Sequence, residues 1–275
     1  MTRIRMITLS LLAVLPLGAV VSGTAQAAQP TRPTFWHFGA AVGGAGLSAE
    51  GKSGVSRLWA TEVGVVVVCK EDTAAAVTLE EGGKDKAKEV VYKGCVPVKP
   101  EKNAHEQWEE GEPLANCEVK SSAPVGVAGE IRTNELASEL VWTKTPETKV
   151  LTRFAPKTAA LFTEIEVTGG ATCALNLTKL KVSGSVCAWV PRVGTAALNE
   201  EATMGDLLFE TLNTGAKFVV QRFTKWEVKD GTEALKEGTC ELKLSETKKT
   251  QVESTEQVEA SKVAGKRPLF EVHVN

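Results

Sequence analysis

The sequence predicts an all-β, disulfide-bridged domain, an antiparallel sandwich or partly closed barrel with little helix beyond its leader. Three observations carry that expectation. Short apolar or alternating runs rich in Val, Ile, Thr and Phe recur along the chain, and turn signals separate them every 8–14 residues, the spacing of sandwiches and barrels. Six cysteines follow an export signal, so they sit in a chain bound for an oxidising compartment. No segment reads as a strand–helix–strand unit, which argues against a parallel nucleotide-binding sheet.

The leader comes first. Arg3 and Arg5 precede the 16-residue apolar stretch Met6–Val21, and Ala25-Gln26-Ala27 supplies the small residues of a cleavage site before Ala28. Sixteen residues fall short of the roughly 20 that a spanning helix needs. Residues 1–27 are therefore expected to be a signal peptide, and the mature protein secreted or loosely associated with the cell wall. Loss of Arg3 and Arg5 takes the net charge from −2 to −4, which offers nucleic acid no basic surface.

Gly39–Gly54 holds six glycines in sixteen residues, so residues 28–57 read as a Gly-rich lead and loop ahead of a single β domain, 58–275. Val63–Cys69 is a β-branched run of the kind buried on both faces. Ala74–Leu79 and Lys88–Val98 flank Gly82-Gly83, a hairpin signal. Gly129–Thr133, Leu140–Thr143, Lys149–Phe154 and Leu161–Val167 alternate apolar and polar residues. Leu180–Val190 is interrupted by Gly184, and Leu207–Thr211, Lys217–Phe223, Cys240–Ser245 and Leu269–Val274 close the series. Ala196–Leu212 reads as loop plus strand. The charged stretch Lys248–Ala264 fits helix or strand equally.

Cys69, Cys95, Cys117, Cys173, Cys187 and Cys240 contain no C-x-x-C pair, which argues against a zinc ribbon and a thioredoxin-like site. Three bridges are expected from 15 combinations. The expected set is Cys95–Cys117 across a polar loop, with Cys69–Cys173 and Cys187–Cys240 joining apolar strands.

Several motifs invite chemistry and are better read otherwise. Gly46–Ser53 (GLSAEGKS) satisfies the phosphate-loop pattern, but a strand is expected where that mechanism requires a helix, so it reads as a flexible Gly-rich loop. His37, His105 and His273 lack metal spacing, and His105 in HEQWEEGE belongs to the polar stretch Lys99–Pro113, expected to be an unscaffolded loop. Neither G-x-S-x-G nor H-E-x-x-H occurs. No catalytic residue, cofactor or metal site is assigned. Six tryptophans stand against one tyrosine. Trp59, Trp142, Trp189 and Trp226 fall in strand patterns and are expected in or near the core, whereas Trp36 and Trp108 lie in polar or Gly-rich surroundings. Trp108 is the candidate partner contact, since an exposed ring stacks on sugars or anchors a protein.

A resemblance adds to this. Trp36 with its Gly-rich stretch, Leu58 and the strand entering Cys69, and Tyr92-Lys93-Gly94-Cys95 come first. Cys117, Gly129-Glu130-Ile131-Arg132-Thr133-Asn134-Glu135-Leu136, the strand from Phe162 to Cys173 and Ser183-Gly184-Ser185-Val186 follow. In this order they resemble a group of uncharacterised exported β-rich proteins of soil actinobacteria. GEIRTNEL is the most specific piece. The resemblance implies export and β architecture and no activity, and Cys187 and Cys240 stand where that group commonly has Gly or a polar residue. The function expected is a non-enzymatic exported protein that binds or decorates the cell envelope, its partner an envelope polysaccharide or another surface protein. A secreted hydrolase with dispersed carboxylates and a β-barrel carrier of an apolar ligand are the alternatives.

Overall fold

Strand after strand, the computed structural model builds the sheet that the alternating runs require. It describes residues 33–37, 46–122, 126–143, 150–176, 178–189, 204–209, 213–214, 217–218, 221–229, 232–245, 248–260 and 271–274. The signal segment 1–27 lies outside them. The first strands are β1 (Pro33–His37), β2 (Leu47–Ser53), β3 (Ser56–Ala60), β4 (Val65–Cys69), β5 (Glu71–Glu80), β6 (Lys84–Lys93), β7 (Val96–Lys102) and β8 (Trp108–Pro113). Next come β9 (Cys117–Ser121), β10 (Glu130–Arg132), β11 (Leu136–Thr143), β12 (Val150–Pro156), β13 (Leu161–Gly169), β14 (Thr178–Gly184), β15 (Val186–Trp189) and β16 (Met204–Phe209). Last are β17 (Asn213–Thr214), β18 (Lys217–Phe218), β19 (Gln221–Lys229), β20 (Thr232–Cys240), β21 (Leu242–Leu244), β22 (Lys248–Ala260) and β23 (Glu271–Val274). One 3-10 turn, Thr61–Val63, is the helical structure among the described residues. The stretch from Lys248 to Ala260 is therefore strand.

The β5–β6 hairpin is the longest-paired element of the first half. Its register runs from Glu71↔Lys93 to Glu80↔Lys84, and the turn uses Gly82 and Gly83 at φ of 74° and 70°. A Cβ on Gly83 would meet Leu140 Cδ1 at 2.8 Å, so this position needs glycine for space as well as for backbone.

From β6 the sheet forks. The Val91–Lys93 end pairs with β10, and the Lys84–Ala87 end pairs with β11. Between them the Val90 N–H donates to Thr133 Oγ1 at 2.9 Å, and Thr133 N–H returns a bond to Val90 O at 3.0 Å, so the fork leaves neither group unpaired. The GEIRTNEL segment is thereby a brace. Arg132 reaches Glu130 at 2.7 Å and Glu89 at 3.2 Å, Asn134 Nδ2 donates to Leu161 O at 2.8 Å, and Glu135 pairs with Lys157 at 2.7 Å.

One branch runs β10–β9–β13–β14–β21 to β22, and β22 pairs with β2, which returns to β5. The other runs β11–β12–β15–β16, also to β22. The first circuit is barrel-like but only partly closed, because β9 and β10 share a single parallel register pair, Glu130↔Lys120. The architecture is the expected one: all-β, sandwich-like, and antiparallel elsewhere.

The main core lies inside this wrap, with Val65, Val67, Val119, Ile165, Val167 and Leu244 almost fully buried. Two smaller clusters sit on the outer faces. One joins Val141, Leu151 and Phe223 with Cys187 and Cys240 beneath the β19–β20 hairpin, and the other joins Trp59, Val66 and Val98. Trp59 and Trp142 are buried as expected. The side chains of Trp36, His37, Trp189, Trp226 and His273 lie outside the described residues.

Three expectations are corrected here. Residues 47–53 are not part of a loop ahead of the domain, since β2 is bonded on both sides, to β5 and β22. Lys99–Pro113 is scaffolded as the β7–β8 hairpin rather than an open loop. The bridges are Cys69–Cys95, Cys117–Cys173 and Cys187–Cys240, so only the third expected pair is present. The hairpin explains the first: its register, continued two residues outward from Glu71↔Lys93, places Cys69 opposite Cys95. Cys117 is the register partner of Gly169 in β13, a turn away from Cys173, which makes the second.

Non-reducing peptide mapping is expected to recover these three pairs. Replacing Cys69 and Cys95 together by Ala should lower unfolding free energy by about 3–4 kcal/mol in denaturant titration, from the loop freed in the unfolded chain.

Candidate functional site

The interior between the sheets holds a cavity of about 110 Å³. Its walls are mostly aliphatic and aromatic, with Val77 and Leu79 from β5, Ala87 and Val90 from β6, Leu136 from β11 and Phe154 from β12 among them. These faces look inward because of strand alternation. In β6, Asp85 and Ala87 share a face with the inward residues Leu136 and Ser138 of β11, while Lys84 and Lys88 point out. In β5 the phase changes at Ala75-Ala76, two exposed residues opposite Glu50 of β2, with Ala76 at φ 50°. This bulge lets Asp72 and Ala74 on one side, and Val77 and Leu79 on the other, all face inward.

Asp85 is the one acid among the described lining residues. It is 5% exposed and its carboxylate accepts a hydrogen bond from Ser138 Oγ, directly across the β6–β11 ladder. Burial is the largest influence on it and pushes its pKa up to about 7; the Ser138 hydroxyl pulls it down, and the negative charge of Glu80 adds to the rise. No described ion pair joins Asp85 to a Lys or Arg.

A second buried acid has another situation. Asp72, 4% exposed, accepts from both Ser53 Oγ and Ser56 Oγ, the latter at 2.7 Å. Burial raises its pKa, and the two hydroxyls counter the rise. Asp72 brackets the β2–β3 turn against the start of β5. Ser53 is the residue that would hold magnesium in a phosphate loop, and here it is bound to this carboxylate. With Leu47–Ser53 of this motif extended as β2, no phosphate cradle forms, and its reading as a flexible loop is corrected as well.

The other sequence candidates do not converge on the cavity. Trp108 opens β8, half-buried against the cluster of Trp59, Val66 and Val98, with Lys102 Nζ 5.2 Å from its ring centre. Its ring covers an outer face of the sheet. His105 is exposed at the β7–β8 turn, where Asn103 Oδ1 accepts from the backbone N–H groups of His105 and Gln107. Glu106 pairs with Lys102, and Glu110 with Arg57. Among the described residues no group of three or more His, Cys, Asp or Glu is arranged to hold a metal ion. No described helix is long and apolar enough to cross a membrane.

No family model, curated protein or solved structure matches this chain.

Sequence reasoning missed both Asp85 and Asp72. The signal for Asp85 was present in the alternation of Lys84-Asp85-Lys86-Ala87-Lys88, where the acid falls in phase with Ala rather than with the lysines.

The linkage of Asp85 has a definite sign. Below about pH 4 both folded and unfolded states carry its proton. Between about pH 4 and 7 the unfolded chain releases that proton while the folded chain keeps it, so stability falls as pH rises, by on the order of 4 kcal/mol in total. Denaturant unfolding of Asp85→Asn beside the parent should show the variant gaining relative stability through that window and levelling above it; a constant difference would refute the assignment. Trp108→Ala is expected to cost about 2 kcal/mol through lost packing on Trp59 and Val98, read as a lower unfolding midpoint.

Proposed function

We propose that this protein is an exported, non-enzymatic carrier that takes a small apolar molecule into the interior of its β-structure. The observation that supports it is the apolar cavity bounded by β5, β6, β11 and β12. At about 110 Å³ it is somewhat smaller than the ~150 Å³ dry cavity that takes up benzene, so it suits one ring or a short alkyl chain. A rigid sheet with three disulfides holds such a space open, where a chain free to collapse would fill it. Disulfides are also compatible with secretion.

Paired-carboxylate hydrolysis needs a second acid about 5–10 Å from the first, and Asp85 is the one acid among the described lining residues. Envelope binding through Trp108 is less supported, because that ring is engaged with its own sheet.

The test uses oxidised protein from Ala28 to Asn275, titrated calorimetrically with toluene and 1-hexanol. Saturable binding with a rise in melting temperature is expected. Ala87→Leu, which places a larger side chain in the cavity wall, should weaken binding at least about ten-fold while keeping the sheet's circular-dichroism spectrum. Absence of binding by the parent protein would overturn the proposal.

A further inference from the structure

Asp85 is costly where it stands. It is a buried carboxyl in a mostly apolar wall, it receives one described hydrogen bond, from Ser138, and no described ion pair compensates it, since Arg57, which also lines the cavity, is paired with Glu110. Asp72, equally buried, is held by two hydroxyls at a turn and has an evident structural role. Asp85 lacks one, because its strand is already fixed by the β5–β6 and β6–β11 ladders and its side chain lines the cavity.

A carboxylate has about four lone-pair sites, so the bond from Ser138 leaves acceptor capacity on Asp85. A guest with an apolar body and a cationic end would meet that capacity. An ammonium carries three donors, suited to the Asp85 oxygens together with Ser138 Oγ, whereas an alcohol carries one and leaves the charge uncompensated. A carboxylate guest would add a second negative charge. The desolvation of Asp85 is already borne in folding, so on binding only the ammonium loses water; an uncompensated buried charge is what a cation relieves most.

From this placement we infer that the cavity is selective for a small primary alkylammonium, its chain among Val77, Leu79, Ala87, Leu136 and Phe154 and its nitrogen on Asp85. This rests on the carrier reading and names its ligand class.

The experiment compares hexylamine, 1-hexanol and hexanoate on the oxidised protein by calorimetry at about pH 8, above the titration of Asp85. Hexylamine is expected to bind at least about ten-fold more tightly than 1-hexanol, and hexanoate more weakly than either. On Asp85→Asn the amine should bind no more tightly than the alcohol measured on that same variant. Ser138→Ala, which keeps the carboxylate, should preserve the order amine over alcohol over acid and serves where Asp85→Asn fails to fold. Equal affinities for amine and alcohol on the parent, or an amine preference that survives in Asp85→Asn, would overturn the inference and leave the apolar carrier standing. Loss of binding by all three compounds on the parent would overturn both.

Discussion

The antiparallel register of the β5–β6 hairpin is the constraint on which most of this structure depends. Gly82 and Gly83 turn a ten-residue strand back on another of equal length, and everything adjoining inherits that alignment. It brings Cys69 to Cys95, because the residues that flank a closed hairpin must meet. It sets the two ends of β6 far enough apart for different strands, β10 and β11, to pair with each. It also turns Asp85 and Ala87 toward the interior, and a phase change at Lys88-Glu89, across from the Ala75-Ala76 bulge, turns Val90 inward as well, so that this part of the cavity wall is built by the hairpin.

Branching a sheet at one strand exposes backbone groups at the branch point, and an unpaired N–H buried there would cost on the order of 1–3 kcal/mol. Thr133 removes that cost with its hydroxyl and its own N–H. The neighbouring residues tie the branch to two strands and to the end of a third: Arg132 to Glu89 of β6, Asn134 to Leu161 of β13, and Glu135 to Lys157 just beyond β12. Polar residues crowd into GEIRTNEL for this reason. A segment with the polarity of a surface signature is the joint of the fold, and its side chains are engaged with the protein itself.

Much of the β-architecture was legible because period-two alternation and β-branched runs report burial locally. Val63–Cys69, the Gly82-Gly83 turn and Leu161–Val167 correspond closely to β4, the hairpin and β13. The strand β2 was hidden, since Leu47–Ser53 has few large apolar residues and owes its conformation to pairing with β5 and β22, partners distant in sequence. The same holds for β22, whose long charged stretch pairs with four strands, β2, β3, β16 and β21. Two bridges differ from expectation for another reason. Cys69 and Cys95 are equidistant from Gly82, so the turn already encodes their meeting, whereas the polar stretch between Cys95 and Cys117 pointed to a different pair. Asp85 was missed because β6 was expected to begin at Lys88, three residues after it.

The two buried aspartates separate what the fold needs from what the cavity offers. Replacing a buried, unpaired ionisable group by an apolar one of similar size commonly stabilises a protein, so a chain that keeps one inside must place it where it completes a bracket or where it meets something else. Asp72 completes a bracket: two hydroxyls from the β2–β3 turn converge on one carboxylate oxygen and fasten β5 to that turn. Asp85 fastens nothing that the backbone ladders on both sides of β6 do not already hold. Its one described donor, Ser138, lies directly opposite on the adjacent strand. Burial raises its pKa to about 7 against the pull of that one hydroxyl, and its carboxyl group lines the cavity.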